Sequence, residues 1–202
     1  MYLPNNIEER LKKQMDFIVE IDKAKSIYRR NLLADGSRNE NDAEHMWHLS
    51  VMAMILSEYA DENVDISKVI RMALVHDLVE IYAGDTFAYD VGGYTDKEDR
   101  EALAADKLYS ILPEEQGKEL KALWEEFDAL ETLESKYANA IDRISPMLEN
   151  HLTDDHTWKL GNVTRTQILK RLEPVRIATP KLYDIGLFFL EEAIKKEHVI
   201  NK

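Results

Sequence analysis

Between Val69 and Ile81 an apolar run, Val69-Ile70-Arg71-Met72-Ala73-Leu74-Val75-His76-Asp77-Leu78-Val79-Glu80-Ile81, carries His76, Asp77 and Glu80 in its middle. A buried carboxylate must be paired, hydrogen-bonded or bound to a cation. Glu80 follows His76 by four residues, so on a helix the two share a face, with Asp77 beside them. The run predicts a largely buried helix on which three polar groups need one common partner. A divalent metal ion is the simplest such partner, and it calls for more ligands from elsewhere in the chain.

Two other helical stretches offer them. Asn41-Asp42-Ala43-Glu44 reads as a helix start, with Asn41 as N-cap and Glu44 closing a capping box. The predicted helix runs to Ser57 or Ala60, with Met46, Leu49, Ala53 and Leu56 buried. His45 falls in its first turn, where the helix dipole disfavours an imidazolium and helps keep the ring neutral, as a metal ligand must be. His48, near the same face, reads more simply as a hydrogen-bonded histidine. Further on, Asp142 shares a face with Ala138, and Pro146 removes the amide that would bond the Asp142 carbonyl, predicting a kink. An Asp at such a bend reaches a neighbouring site without displacing bulk. The alternative is an ion pair with Arg143 or Lys136, worth little at a surface.

The remaining segments predict more helices. Ile7, Leu11, Met15, Ile18 and Ile21 recur at helical spacing, placing a first helix from about Asn6 to about Arg30. Lys25, Arg29 and Arg30 then suit its negative end, or one of the arginines projects into a site as a phosphate ligand. Asp65 can cap a third helix running to about Tyr82, with Gly84 as its stop and Asp85-Thr86 at its mouth. Phe87 to Thr95, with Tyr89 and Tyr94, reads as a loop or lid over that end. Helices follow over Asp96–Leu112, from Pro113 through Leu130, around Tyr137–Pro146, over Thr164–Arg176 and over Pro180–Lys196. His151 and His156 sit in a polar stretch that predicts solvated side chains. The apolar segment Ile185-Gly186-Leu187-Phe188-Phe189-Leu190 packs inside or forms a dimer seam.

Composition narrows the chemistry. The 202 residues fit one domain, with a core over about residues 17–150 and C-terminal helices over 164–198 on it or at a dimer interface. The net charge of −13 argues against a broad nucleic-acid groove, because phosphate backbones need clustered Lys and Arg. A small phosphate ester is still compatible, since one metal and one or two arginines hold it. Without cysteine there is no thiolate site, so His and carboxylates must bind any ion. The N-terminus lacks the features of a secretory signal and no apolar stretch spans a bilayer, which predicts a cytoplasmic protein with no membrane partner.

His45, then His76-Asp77, then Asp142 give an ordered H…HD…D pattern across an all-helical chain. This resembles the HD-domain superfamily of metal-dependent phosphohydrolases. Glu40-Asn41-Asp42-Ala43-Glu44-His45, His76-Asp77-Leu78-Val79-Glu80 and Gly84-Asp85-Thr86 look like its 5'-deoxynucleotidase (YfbR-like) branch, over roughly Phe17 to Pro146. The resemblance implies an all-α, single-domain helical bundle, homodimeric, with one divalent ion held by His45, His76, Asp77 and Asp142. It also implies that Glu80 and Asp85 orient or activate the attacking water and contact a small-molecule nucleotide. Arg29 and Arg38 are the best matches to the family's phosphate-side arginines, and Thr86 joins them as a substrate contact. The family has Trp directly after the first-helix Arg, whereas Arg30 follows Arg29 here, with Tyr28 before it.

Two imidazoles and two carboxylates leave positions open on a six-coordinate ion, where a bound water loses its proton near neutrality. Mn, Co, Fe, Mg and Zn all fit such a donor set. The leading expectation is hydrolysis of (deoxy)nucleoside 5'-monophosphates. The alternatives are a phosphodiesterase, a nucleoside-triphosphate hydrolase or a non-catalytic nucleotide-binding module. The last of these can lose a ligand or the activating carboxylate, and all six residues are present here.

Overall fold

The N-terminal apolar spacing does produce a helix, α1 (Glu9–Ile21), but a shorter one than its period suggests. The protein is described by a computed structural model covering residues 7–90, 92–93 and 95–202; the predicted start at Asn6 and the lid residue Tyr94 lie outside the described residues. Leu11 and Ile18 stay exposed, and Phe17, stacked 6.5 Å from Tyr109, is the residue that buries. After Ile21 a 3₁₀ turn (Asp22–Ser26) leads into strand β1 (Tyr28–Leu32), which pairs antiparallel with β2 (Asn39–Asn41). Arg29 and Arg30 are therefore on a strand, not in a last helical turn, and the dipole reading of them falls. The reason is local: backbone groups here find partners across a hairpin, with the Asp42 amide bonding Ile27 O at 3.1 Å and the Leu33 amide bonding Arg38 O at 2.9 Å. Between the pairings Tyr28↔Asn41 and Leu32↔Asn39 the register shifts, so β1 bulges around Arg29 to Asn31. A bulge re-aims side chains, and here it turns Arg29 inward.

Helix α2 (Asp42–Ile55) starts with the reciprocal capping box of Asn41 and Glu44. It buries Met46, Leu49, Ser50 and Ala53, while Leu56 just beyond it is half-buried. Helix α3 (Ile66–Ala73) is capped by Asp65, which accepts from the Ser67 and Lys68 amides. The predicted continuous helix to Tyr82 is broken: residues 74–79 form turns, and α4 (Glu80–Ala83) is separate, ended by Gly84 at φ +77°. Most bonds through this break are of the tighter i→i+3 kind, from Val75 to Met72, Leu78 to Val75 and Glu80 to Asp77, with the His76 amide still reaching Met72 O. His76 and Asp77 thus lie in the break and not one turn below Glu80 on a single helix.

Helices α5 (Lys97–Tyr109) and α6 (Glu114–Ala129) form a hairpin around Pro113. Gly117 is needed there, because any Cβ would collide with the Tyr109 carbonyl. Helix α7 (Leu133–Leu152) is the axis of the bundle, packed by α2, α3, α6 and the later helices. It runs on through Pro146, whose carbonyl accepts from Asn150 at 2.8 Å and Asn31 at 3.2 Å. Short α8 (His156–Gly161) buries Trp158 completely. Helices α9 (Arg165–Ala178, with a Thr164–Gln167 capping box) and α10 (Pro180–Lys195) then pack on α7. Ile168, Leu172, Val175, Phe189 and Leu190 join one continuous core with Ile141 and Ile144. Gly186, Phe189 and Leu190 face inward, whereas Ile185 and Phe188 remain exposed. The architecture is all-α with one small hairpin, and among the described residues no helix is long and apolar enough to cross a membrane.

Candidate metal centre

The break after α3, the start of α2 and the middle of α7 meet at one point. Donor atoms of His45, His76 and Asp142 all lie within 4.8 Å of one another. His45 Nε2 is 3.1 Å from Asp142 Oδ1 and 3.8 Å from Asp77 Oδ2; His76 Nε2 is 3.1 Å from Asp77 Oδ2 and 3.8 Å from Asp142 Oδ1. Two imidazole nitrogens and two carboxylates from three elements therefore face a common centre. The other nitrogen of each ring faces an oxygen on the far side. His76 Nδ1 meets the Ala73 carbonyl at 2.9 Å, an oxygen that a continuous helix would have given to the Asp77 amide. His45 Nδ1 faces Glu40 Oε2 at 3.3 Å. His76 Nε2 is buried with no hydrogen-bond partner, as are both oxygens of Asp42 and one of Glu80. Polar atoms so placed normally have a partner, and this donor set of imidazole and carboxylate suits a divalent ion. The residues fit the metal.

Electrostatics carries the same message. Burial opposes the charge of Asp77 and Asp142, yet the facing histidines, with Arg29 on Asp77 and Arg171 on Asp142, hold both well below the usual carboxylate range. Burial and the neighbouring Asp77 push Asp42 up to about 8, and the same two causes raise Glu80 well above its ordinary value. Burial also raises Asp85, against the pull of Arg29. Burial and Arg29 act to discharge His45, but Asp142, Glu40 and Asp77 outweigh them and lift it to about 9. The helix N-terminus thus does not keep this ring neutral by itself. A bound cation would.

The centre opens into a cleft of about 230 Å³ lined by His76, Asp77, Glu80, Asp85, Thr86 and Asp142, among others. Arg29 reaches it from the bulge, with Nη1 donating to Asp77 Oδ2 at 2.9 Å and Nε 3.4 Å from Glu40. Burial works against its charge, yet Asp77, Asp142, Glu80 and Asp85 hold it above the usual arginine value. Arg38 is not brought there: it is exposed, forked onto Glu44 (2.8 Å from Nη1), and does not line the cleft. The hairpin turn carries it outward, where the nearest anion is the capping-box carboxylate. Arg30, Lys97, Arg143 and Arg171 line the cleft instead, Arg30 lying 4.7 Å over the Phe87 ring. Thr86 Oγ1 accepts from Arg100, which also bonds Ala83 O and Gly93 O and so ties the loop to α5. Asp142 meets Arg171 at 3.7 Å.

Three buried acids escape the sequence reading: Glu40, Asp42 and Glu149. Asp42 sits three residues before His45 on the same helical face and groups with Asp77 and Glu80 within 4.8 Å, a second trio able to hold a cation. Glu149 follows Asp142 by two helical turns, a spacing that also signals a shared face. Glu40 lies on the hairpin, where helical spacing says nothing. His48 groups with Glu40 and Glu149. His151, expected in a polar loop, is in the last turn of α7 and stacks 4.6 Å from Phe189.

Comparison with known proteins agrees with this geometry. Residues 21–182 match the family described as HD domain. The crystal structure of a predicted metal-dependent phosphohydrolase from Magnetospirillum magnetotacticum MS-1 is 45% identical, with a TM-score of 0.91, over 98% of this chain and all of that one. The human 5'-deoxynucleotidase HDDC2 is 32% identical over 126 residues, 62% of this chain and 60% of that protein. The 5'-deoxynucleotidase YBR242W of Saccharomyces cerevisiae is 30% identical over 54% of this chain and 47% of its own. The chain thus matches at most about three-fifths of the length of these curated relatives.

Proposed function

The chain belongs to the HD-domain family, and from that premise we propose that it is a divalent-metal-dependent phosphohydrolase. Its proposed reaction removes the 5'-phosphate from (deoxy)nucleoside 5'-monophosphates. The observation that carries this is the convergence of His45, His76, Asp77 and Asp142 on one point, beside two further carboxylates in an open cleft. Those four residues would hold the ion, which when bound supplies charge to a phosphoryl oxygen and acidifies a water. Glu80, buried and poised to carry a proton, is the group to accept one from the attacking water and return it to the leaving oxygen. Asp85 helps orient that water. Arg29, Thr86 and the cationic wall of Arg143 and Arg171 take the phosphate side of the substrate. Relatives named 5'-deoxynucleotidases favour the deoxyribose monophosphates. Tyr28, 57% exposed, gives no support for itself as a sugar-sensing aromatic, and Arg30 over Phe87 occupies the position after Arg29.

A nucleoside triphosphatase is the second reading, favoured by the cations along the same cleft, which the net charge of the chain conceals. The proposal also takes the enzyme to be a cytoplasmic homodimer; exposed Ile185 and Phe188 on α10 support a subunit seam, and sedimentation tests it. The deciding experiment strips the protein with chelator and assays phosphate release from ribo- and deoxyribonucleoside 5'-mono- and triphosphates. Mn, Co, Fe, Mg and Zn are added back in turn, with Asp77→Ala as control. Release that depends on metal and is lost in Asp77→Ala supports the proposal; release from triphosphates alone moves it to the second reading. Tight metal binding with no release from any substrate sinks both.

A further inference from the structure

Behind the metal centre, away from the cleft, lies a second buried layer. Glu40 is 2% exposed and Glu149 5%, and neither lines the cleft, so neither touches substrate. Glu40 Oε2 stands 3.3 Å from His45 Nδ1 and 3.4 Å from Arg29 Nε. Glu149, reaching in from α7, brings a carboxylate oxygen within 4.8 Å of one of Glu40.

An imidazole binds a metal through one nitrogen only if the other carries the proton. With Nδ1 of His45 against a carboxylate, the neutral ring holds its proton there and keeps the Nε2 lone pair for the centre, toward Asp142 and Asp77. His76 receives the same service from the Ala73 carbonyl. Burying a carboxylate for packing alone is costly, and a structural anion for Arg29 is already present in Asp77 at 2.9 Å. Among the described residues, Glu40 is the one carboxylate within 4.0 Å of the outer nitrogen of His45.

We propose that Glu40 is the positioning residue that holds His45 in its metal-binding tautomer. The inference rests on the reading of His45 as a ligand. It assigns Glu40 no contact with substrate and no share in proton transfer to it. Glu149 stands one step further back, behind Glu40 and away from the ring.

The test measures affinity for Mn²⁺ and Co²⁺ by chelator competition, beside the thermal midpoint of the stripped protein, for wild type, Glu40→Gln and Glu149→Gln. Removing an outer partner of a ligating histidine typically weakens metal binding about 10–100-fold. Glu40→Gln is expected to show that loss with the midpoint of the stripped protein held or raised, since a buried charge is gone. Glu149→Gln, which leaves the Glu40–His45 contact in place, is expected to stay within about threefold of wild type on the same scale. A purely structural role for Glu40 would move the midpoint and spare the affinity. Should Glu40→Gln not fold, Glu40→Asp keeps the charge for Arg29 but withdraws it from His45, and a several-fold loss of affinity is expected. Either Glu40 variant binding metal as tightly as wild type overturns the inference. A wild type that binds no metal overturns the ligand reading itself, a different and separately visible failure.

Discussion

Raising the pH from 7 to 9 is expected to tighten divalent-metal binding by the stripped protein about 50-fold. Of the four proposed ligands, Asp77 and Asp142 are held well below the usual carboxylate range and are ionised throughout this interval. His45 is not ready: its surroundings lift it to about 9, so at pH 7 its ring carries a proton that a metal must displace. With the ring near 9 the proton weakens binding about 100-fold at pH 7 and still about twofold at pH 9, a difference of about 2.3 kcal/mol at about 1.36 kcal/mol per tenfold. Competition of Mn²⁺ against a fluorescent chelator at half-unit pH steps reads the slope directly. Titration calorimetry at pH 7 in buffers of different ionisation heat should show about one proton released, and more if Asp42 or Glu80 also discharges. A flat affinity between pH 7 and 9, with no proton released, would refute the reasoning: His45 would then be either neutral beforehand or no ligand.

Three further outcomes follow from the same geometry. Glu80→Gln should lower phosphate release by about 10²–10⁴-fold while metal affinity stays close to wild type, and equal losses in both would remove Glu80 from proton transfer. The stripped protein should lose thermal stability between pH 6.5 and 9, because its native state binds more protons there than the unfolded chain. The stability from His45, raised to about 9, is complete below its ordinary 6.5 and is lost through 9. Asp42 and Glu149, raised to about 8, add a penalty that grows as pH climbs toward that value. A midpoint that rises over that range in calorimetry contradicts the sign. Trp158→Ala empties a fully buried site that also borders the cleft and should cost about 3–5 kcal/mol. Scanning calorimetry should show a drop of about 10 °C, at about 2–4 °C per kcal/mol for a chain this long.

Much of this architecture was legible because helices announce themselves by period and punctuation. The Asn41–Glu44 capping box, the Asp65 cap and the Gly84 stop are all where local chemistry puts them. Polar residues inside apolar helical stretches, His45, His76-Asp77 and Asp142, pointed to a shared centre, and the fold does bring them together. What periodicity could not show is where it stops. The hairpin that turns Arg29 inward depends on pairing with Asn39–Asn41, a contact across a loop that no window along α1 contains. The break at residues 74–79 has no Gly or Pro to mark it, being sustained by 3₁₀ turns and by the His76 ring bonding Ala73. Arg38 was placed by likeness alone, and the turn that carries it outward was invisible to that likeness.

The two histidines of the centre are oriented by different kinds of partner, and this has an evolutionary consequence. The Ala73 carbonyl that orients His76 is main chain, present whatever residue stands at position 73. Glu40, facing His45, is a side chain and can be changed by a single codon. Inherited variation can therefore retune one half of the donor set while the other half is shielded from it. Drift in metal preference among relatives of this chain should be traced through position 40, with position 73 free to vary in silence.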